Sequence, residues 1–260
     1  MKSYTRRLLV QAIGLCLTVS SVVAGVSNPG RDKAAQLFKE GLTLRRAGAV
    51  VEATARFNAA IMADSTYGAA WSELADIYFA EGDFTLSLYH SLVARNHGST
   101  AATGQAGLSY YRLKQYDNAL ELLSLAAADS LATTNVIFSL AGVYARQEHY
   151  RESIYYYERG ITESVVVADD SQKKNVSDSV LLSQIARDTA EPKILYCLAQ
   201  AAQRKGYHKA AAGIWQLLLR VQPANGFAMF MMGKAYMDMG EMVLGEKICD
   251  QAQELGEIQN

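Results

Sequence analysis

The stretch from Gly68 to Phe84, GAAWSELADIYFAEGDF, constrains this chain more than any other. Trp71, Leu74, Ala75 and Tyr78 lie at offsets that put all four on one stripe of a 3.6-residue helix. Gly82 and Asp83 stop that helix. Phe84 to Arg95 then forms a second amphipathic run, whose small Ser87 and Ser91 let two helices approach closely. A helical hairpin of this size cannot bury its apolar stripe alone, so it demands neighbours of the same kind.

The chain supplies them at a spacing of about 34 residues. Unit one runs from about Ala34 to Tyr67, with Leu37, Glu40, Gly41 and Leu44, then Ala53, Phe57 and Ala60. Unit two is the stretch above, continued to Ser99. Unit three covers about Thr100 to Thr133, with Ala106, Gly107 and Tyr110, then Tyr116, Ala119, Leu123 and Ala126. Unit four covers about Thr134 to Val167, with Leu140, Ala141 and Tyr144, then Tyr150, Ser153, Tyr157 and Gly160. Residues 168–190 break the period. Their first half, ADDSQKKNVSD, is polar and reads as a loop. Their second half, SVLLSQIARD, carries Leu181, Leu182 and Ile185 at helical spacing. Unit five resumes near Pro192, with Leu198, Ala199 and Ala202, then Ala210, Ile214, Leu217 and Leu218. Its Gly206-Tyr207 turn reads as one residue short. Unit six, from about Gly226 to Gln259, has Met232, Gly233 and Tyr236, then Gly245, Cys249 and Ala252.

These residues resemble the tetratricopeptide repeat (TPR), with KQYDNALELL of unit three the most similar segment. The resemblance covers nearly all of residues 34–260. It implies an all-α fold, a right-handed α-solenoid of about six hairpins, in units 1–4 (34–167) and 5–6 (191–260). The chain departs from the family where Ser87, Ser153 and Gly245 replace the usual alanine after the turn. Only unit two has the family tryptophan. Three prolines in 260 residues suit long helices. The last helix, Val243 to Leu255, has an apolar stripe of Leu244, Ile248, Cys249, Ala252 and Leu255 and a polar remainder, as a terminal cap would. From it the array is expected to end there.

The N-terminus reads as a targeting segment over residues 1–24. Lys2, Arg6 and Arg7 precede an apolar run, Leu8 to Val19, and Val22-Val23-Ala24 offers a cleavage site. A retained anchor is the alternative. Residues 25–33 read as a short linker, with Asp32 as helix cap. Cleavage after Ala24 leaves a net charge of −4, with no run of like charges and no basic nucleic-acid footprint. The protein is expected to be exported, to the periplasm or beyond, and to associate with the envelope. Cys197 and Cys249 then remain. Buried free thiols are the preferred reading, and a disulfide between them stays open.

No catalytic motif, metal-ligand spacing or cofactor fingerprint occurs among His90, His97, His149, His208 and the carboxylates. No enzyme activity, cofactor or small-molecule substrate is expected. The TPR resemblance implies that first helices line a concave groove that holds a protein or peptide. The groove positions are Phe38, Lys39 and Arg45 in unit one, and Ser72, Asp76 and Phe79 in unit two. Units three and four add Tyr111, Arg112, Phe138 and Arg146. Units five and six add Tyr196, Gln200, Arg204, Phe230, Lys234 and Met237. Their aromatic and basic character suits an extended peptide with some negative charge. The methionine-rich end at Phe230 and Met237 is the expected seat of an apolar anchor, the alternative being that these residues fill a seam beside Trp215 and Leu219. The function expected is a non-catalytic scaffold; the alternative is an obligate subunit of an envelope enzyme or assembly complex.

Overall fold

The computed structural model describes residues 28–129, 132–166 and 191–256. The expected targeting segment, residues 1–24, and the interval 168–190 lie outside the described residues. Twelve helices are described: α1 (Pro29–Arg46), α2 (Val50–Ala63), α3 (Gly68–Glu81), α4 (Phe84–Asn96), α5 (Ala101–Arg112), α6 (Tyr116–Ala127), α7 (Thr134–Arg146), α8 (Tyr150–Val166), α9 (Pro192–Arg204), α10 (His208–Val221), α11 (Gly226–Asp238) and α12 (Met242–Glu254). Consecutive helices pair into six hairpins, and the hairpins stack. Helix α1 begins at Pro29, inside the stretch expected to be linker. The Asn28 side chain accepts from the backbone N–H groups of Gly30 and Arg31, and Pro29 fits the first helical position.

Each hairpin closes on one pair of small residues twelve positions apart. The pairs are Gly41/Ala53, Ala75/Ser87, Gly107/Ala119, Ala141/Ser153, Ala199/Ala211 and Gly233/Gly245, and all twelve residues are buried. A Cβ on Gly41 would sit 2.6 Å from the Phe57 ring, and one on Gly233 2.6 Å from the Cys249 sulfur. The serines that depart from the family pattern satisfy their hydroxyls across the crossing. Ser87 donates to the Ala75 carbonyl at 2.8 Å and Ser153 to the Ala141 carbonyl at 2.9 Å.

Seven positions after the first member of each pair, the chain turns through positive φ. Gly48, Gly82, Gly206 and Gly240 take that place in four hairpins, but Lys114 (φ 61°) and Glu148 (φ 65°) take it in two. The turn at Gly206 therefore keeps the common length and is not one residue short. A side chain in the left-handed region costs roughly 1–2 kcal/mol. Lys114→Gly is expected to raise stability by about 1 kcal/mol, a gain of about 2–4 °C in Tm by thermal unfolding. Glu148→Gly should gain less, because Glu148 also pairs with Lys193.

Successive hairpins meet in a repeated way up to the fourth. The start of a second helix lies against the end of the next first helix. Ser87 meets Ser109 at 2.9 Å, and Asp117 accepts from Gln147 at 3.1 Å. The same order returns between the last two hairpins, where His208 faces Asp238 at 3.3 Å. Between α8 and α9 the order is inverted. Arg146 pairs with Glu191, Glu148 with Lys193, Tyr150 packs on Tyr196 with ring centroids 5.9 Å apart, and Glu158 pairs with Arg204. Residue numbers rise together along both helices, so α9 runs parallel to α8 and opposite to α7. The solenoid continues across the interval, but its chain direction is reversed.

The reversed joint is well filled. Phe138, Ala141, Tyr157 and Ile161 share one core with Ile194, Leu195, Leu198, Ala202, Ile214 and Trp215. At the far end, Ile248, Cys249 and Ala252 of α12 are buried, while Leu244 and Leu255 of the expected stripe are exposed, as are Met242 and Val243. Cys197 and Cys249 are both buried, free thiols.

Candidate functional site: the inner face of the first helices

Helices α3, α5, α7 and α9 touch one another in succession, and no two successive second helices pack comparably. The first helices therefore form the tighter, inner side of the stack. The expected groove residues sit on these four helices and on α1 and α11, and their side chains have unequal fates.

Most of the basic ones tie one hairpin to the next. Arg45 of α1 pairs with Glu73 and Asp76 of α3. Arg112 of α5 is exposed and lies over the rings of Phe84, at 4.2 Å, and Phe79, at 5.7 Å. Arg204 of α9 pairs with Glu158 of α8 at 2.9 Å. Arg146 of α7 is the most engaged. Its guanidinium lies 4.9 Å from the Tyr111 ring centroid and 4.8 Å from that of Tyr116. It donates to the Tyr111 hydroxyl at 2.7 Å and to Glu191 at 3.0 Å. Burial alone would favour the neutral form, but Tyr111 and Glu191 outweigh it and hold the group charged. A Cβ at Gly142 would meet the Tyr111 hydroxyl at 2.6 Å, so the glycine makes room for this cluster.

Three expectations are corrected. Tyr111 is 5% exposed and Phe138 1% exposed, so neither offers a surface in a groove. Phe138 is buried because α7 is packed by α5, α6, α8 and α9 together, leaving Val136 to Val143 without a gap, and Tyr111 because Arg146, Tyr116 and Gly142 close over it. Met237 faces the α11–α12 crossing, where a Cβ on Gly245 would collide with its side chain. The run Tyr155-Tyr156-Tyr157 also divides: Tyr157 is core, Tyr156 stacks on Tyr144 at 5.5 Å, and Tyr155 stands exposed.

The remaining positions are more open. Lys39 and Lys234 are exposed, and Lys234 lies over the half-buried Phe230 ring at 5.0 Å. Asp76 and Gln200 are half-buried. Phe38 packs on Phe57 and Tyr67 at centroid distances of 5.7 and 5.4 Å. Tyr196 packs on Tyr150, Trp215 and Phe227.

No family model matches the sequence, and no curated protein does. Solved structures do. A chain of the APC/C hetero-tetramer Cut9–Hcn1 aligns with 95% of this chain and 43% of its own length, at TM-score 0.51 and 15% identity. The fold is an α-solenoid of TPR-like hairpins. Two other similar structures are PilW, a type IV pilus biogenesis factor (TM-score 0.47, 15% identity, 87% of this chain, 95% of that one), and YrrB, a TPR protein (0.43, 14%, 76% and 91%). At these identities the likeness is one of fold.

Two titratable groups away from the inner face are shifted by burial. Burial pushes the Cys197 thiol up to about 11, which leaves it an inert packing residue of the joint. Burial pushes His90 down, against the rings of Tyr78 and Trp71. Among the described residues, no group of three His, Cys, Asp or Glu side chains is placed to hold a metal ion. No described helix is long and apolar enough to cross a membrane.

The sequence reading missed the reversed joint and the use of arginines as ties. The sequence shows the length of the interval but not the direction taken after it: 25 residues separate α8 from α9, where four separate α2 from α3, α4 from α5 and α10 from α11.

Proposed function

We propose that the protein is a non-catalytic scaffold that binds a protein or peptide on the inner face of its first helices, in the cell envelope. The observation that carries this reading is the unbroken succession of first helices from α3 to α9, which gives one extended surface on a rigid stack. Because Arg45, Arg146 and Arg204 are matched by carboxylates, the inner face is less cationic than its sequence suggests. The partner is therefore recognised by shape and by the positions Lys39, Gln200, Phe230 and Lys234, more than by negative charge. The charged start and apolar run of residues 1–24 support export.

The test is pull-down of the processed chain from its native envelope fraction, beside a Lys39→Glu, Lys234→Glu variant. Loss of partners in a variant with unchanged Tm supports the inner-face site. Full retention of the partners by the variant contradicts it. Capture of one stoichiometric partner would favour the obligate-subunit reading.

A further inference from the structure

Three apolar cores run through the described part of the stack. The first joins α1, α2 and α3 around Phe57, Leu74 and Ile77. The second joins α5, α6 and α7 around Tyr111, Leu123 and Leu140. The third joins α7 to α11 around Tyr157, Leu198 and Trp215. None of the three contains a residue of α4, whose buried side chains are Ser87, Ser91 and Ala94. Each of the other four seams between hairpins lies inside one of these cores. The seam between the second and third hairpins does not, although Phe79, near the end of α3, reaches across to the second core.

Polar groups cross that seam instead, and they are arranged so that parting strands none of them. Ser87 and Ser109 stand 2.9 Å apart across it, and the Gln105 amide donates to Ser87 at 3.4 Å. Each serine also has a bond on its own side. Ser87 donates to the Ala75 carbonyl within its hairpin at 2.8 Å, and Ser109 to the Gln105 carbonyl within its helix at 2.9 Å. Each hydroxyl has one hydrogen, so the bond between the two serines is the one in surplus. On separation both hydroxyls keep donating on their own side, and the Gln105 amide turns to water. No buried donor is left without a partner, and little apolar surface is exposed.

The two ends of the seam differ. At one end α4 and α5 are joined by the short turn 97–100, where Gly98 takes a φ of 84°. At the other, the exposed Arg112 guanidinium lies 4.2 Å from the Phe84 ring centroid and 5.7 Å from that of Phe79. We propose that the stack opens at this seam. Hairpins one and two swing as one body about residues 97–100, away from hairpins three to six, and Arg112 is the catch at the free end. The closed stack is the major form. The opened stack is a minor state in which both neighbouring hairpins keep their helices. The inner face crosses the seam between α3 and α5, so the opened form presents its first helices at a different spacing. The device belongs to the stack itself and holds whatever that face binds.

The experiment is thiol labelling of the full-length chain carrying Ser87→Cys or Ser109→Cys as its one cysteine, beside a chain that keeps only Cys197. The other native cysteines are changed to alanine, and each rate is divided by that of the unfolded chain. All three positions are 0% exposed when the stack is closed. The two seam thiols should react at equal normalised rates, about a hundredfold faster than Cys197. Adding Arg112→Gln should raise both about two- to fivefold and leave Cys197 unchanged. Amide exchange of the unaltered chain gives a second readout. The backbone N–H groups of α4 and α5 should exchange about tenfold or more slowly than the opening measured by the thiols would allow, because the helices stay hydrogen-bonded. Seam thiols no faster than Cys197, unequal rates at the two walls, no effect of Arg112→Gln, or amide exchange of α4 that keeps pace with labelling would each overturn the proposal.

Discussion

Replacing residues 167–190 by a connection of four residues unseats α9–α12 from α7 and α8. Helix α8 has 17 residues, and the chain leaves its far end at Val166. It must rejoin beside Arg146 and Glu148, next to the start of the same helix. At 1.5 Å per residue that return is about 24 Å. Four extended residues span at most about 14 Å. The shortened chain has only two outcomes: α9 docks in the usual direction with mismatched side chains, or it does not dock. Both expose the joint. The readout is thiol labelling of Cys197, 0% exposed in the intact fold, in a chain with Cys16 and Cys249 changed to serine. Labelling in the shortened chain should approach the rate of the unfolded protein, while the full-length chain reacts only on global unfolding. Protection of Cys197 in the shortened chain would show that the interval is not needed as a spacer.

Arg146→Met is expected to cost about 2 kcal/mol, because it removes a largely buried cation from between two tyrosine rings and a donor from the Tyr111 hydroxyl. The Glu191 carboxylate left behind is 41% exposed and regains water, so the lost ion pair adds little to this figure. For a chain of this size the fall in Tm is about 4–8 °C. Arg204→Met is the comparison. That side chain is 63% exposed, so solvent screens its pair with Glu158, and its loss should cost under about 1 kcal/mol. Equal effects of the two changes would mean that burial of Arg146 does not set its contribution.

The six hairpins were legible because close helix crossings exclude side chains. Gly41, Gly107 and Gly233 have no room for a Cβ, so the requirement is written into the sequence at a fixed period. The order of helices and the core positions followed from it. The direction of α9 was not legible, for a physical reason. An apolar stripe at 3.6-residue spacing reads the same from either end, so Leu198, Ala199 and Ala202 fit a helix packed up or down. Only contacts at defined heights, such as Glu148 with Lys193, carry direction. The inner face was legible as a face, since spacing fixes where a side chain points. Spacing says nothing of what the next hairpin presents to it. Arg146 and Arg45 look like ligand contacts until Glu191 and Glu73 stand opposite them. Met237 was misplaced because the glycine that receives it lies eight residues on, in another helix.

The reversed joint is the claim on which the spacer and the role of Arg146 both depend, and electron–electron distances test it most directly. Spin labels at position 148 and at either 193 or 205 report the two ends of α9 against one fixed point. Twelve residues of helix separate the two α9 positions by about 18 Å. The reversed direction predicts the shorter distance for 148/193 and a distance longer by up to that amount for 148/205. A short 148/205 distance with a long 148/193 distance would mean that α9 follows the direction of α7, and would contradict the account.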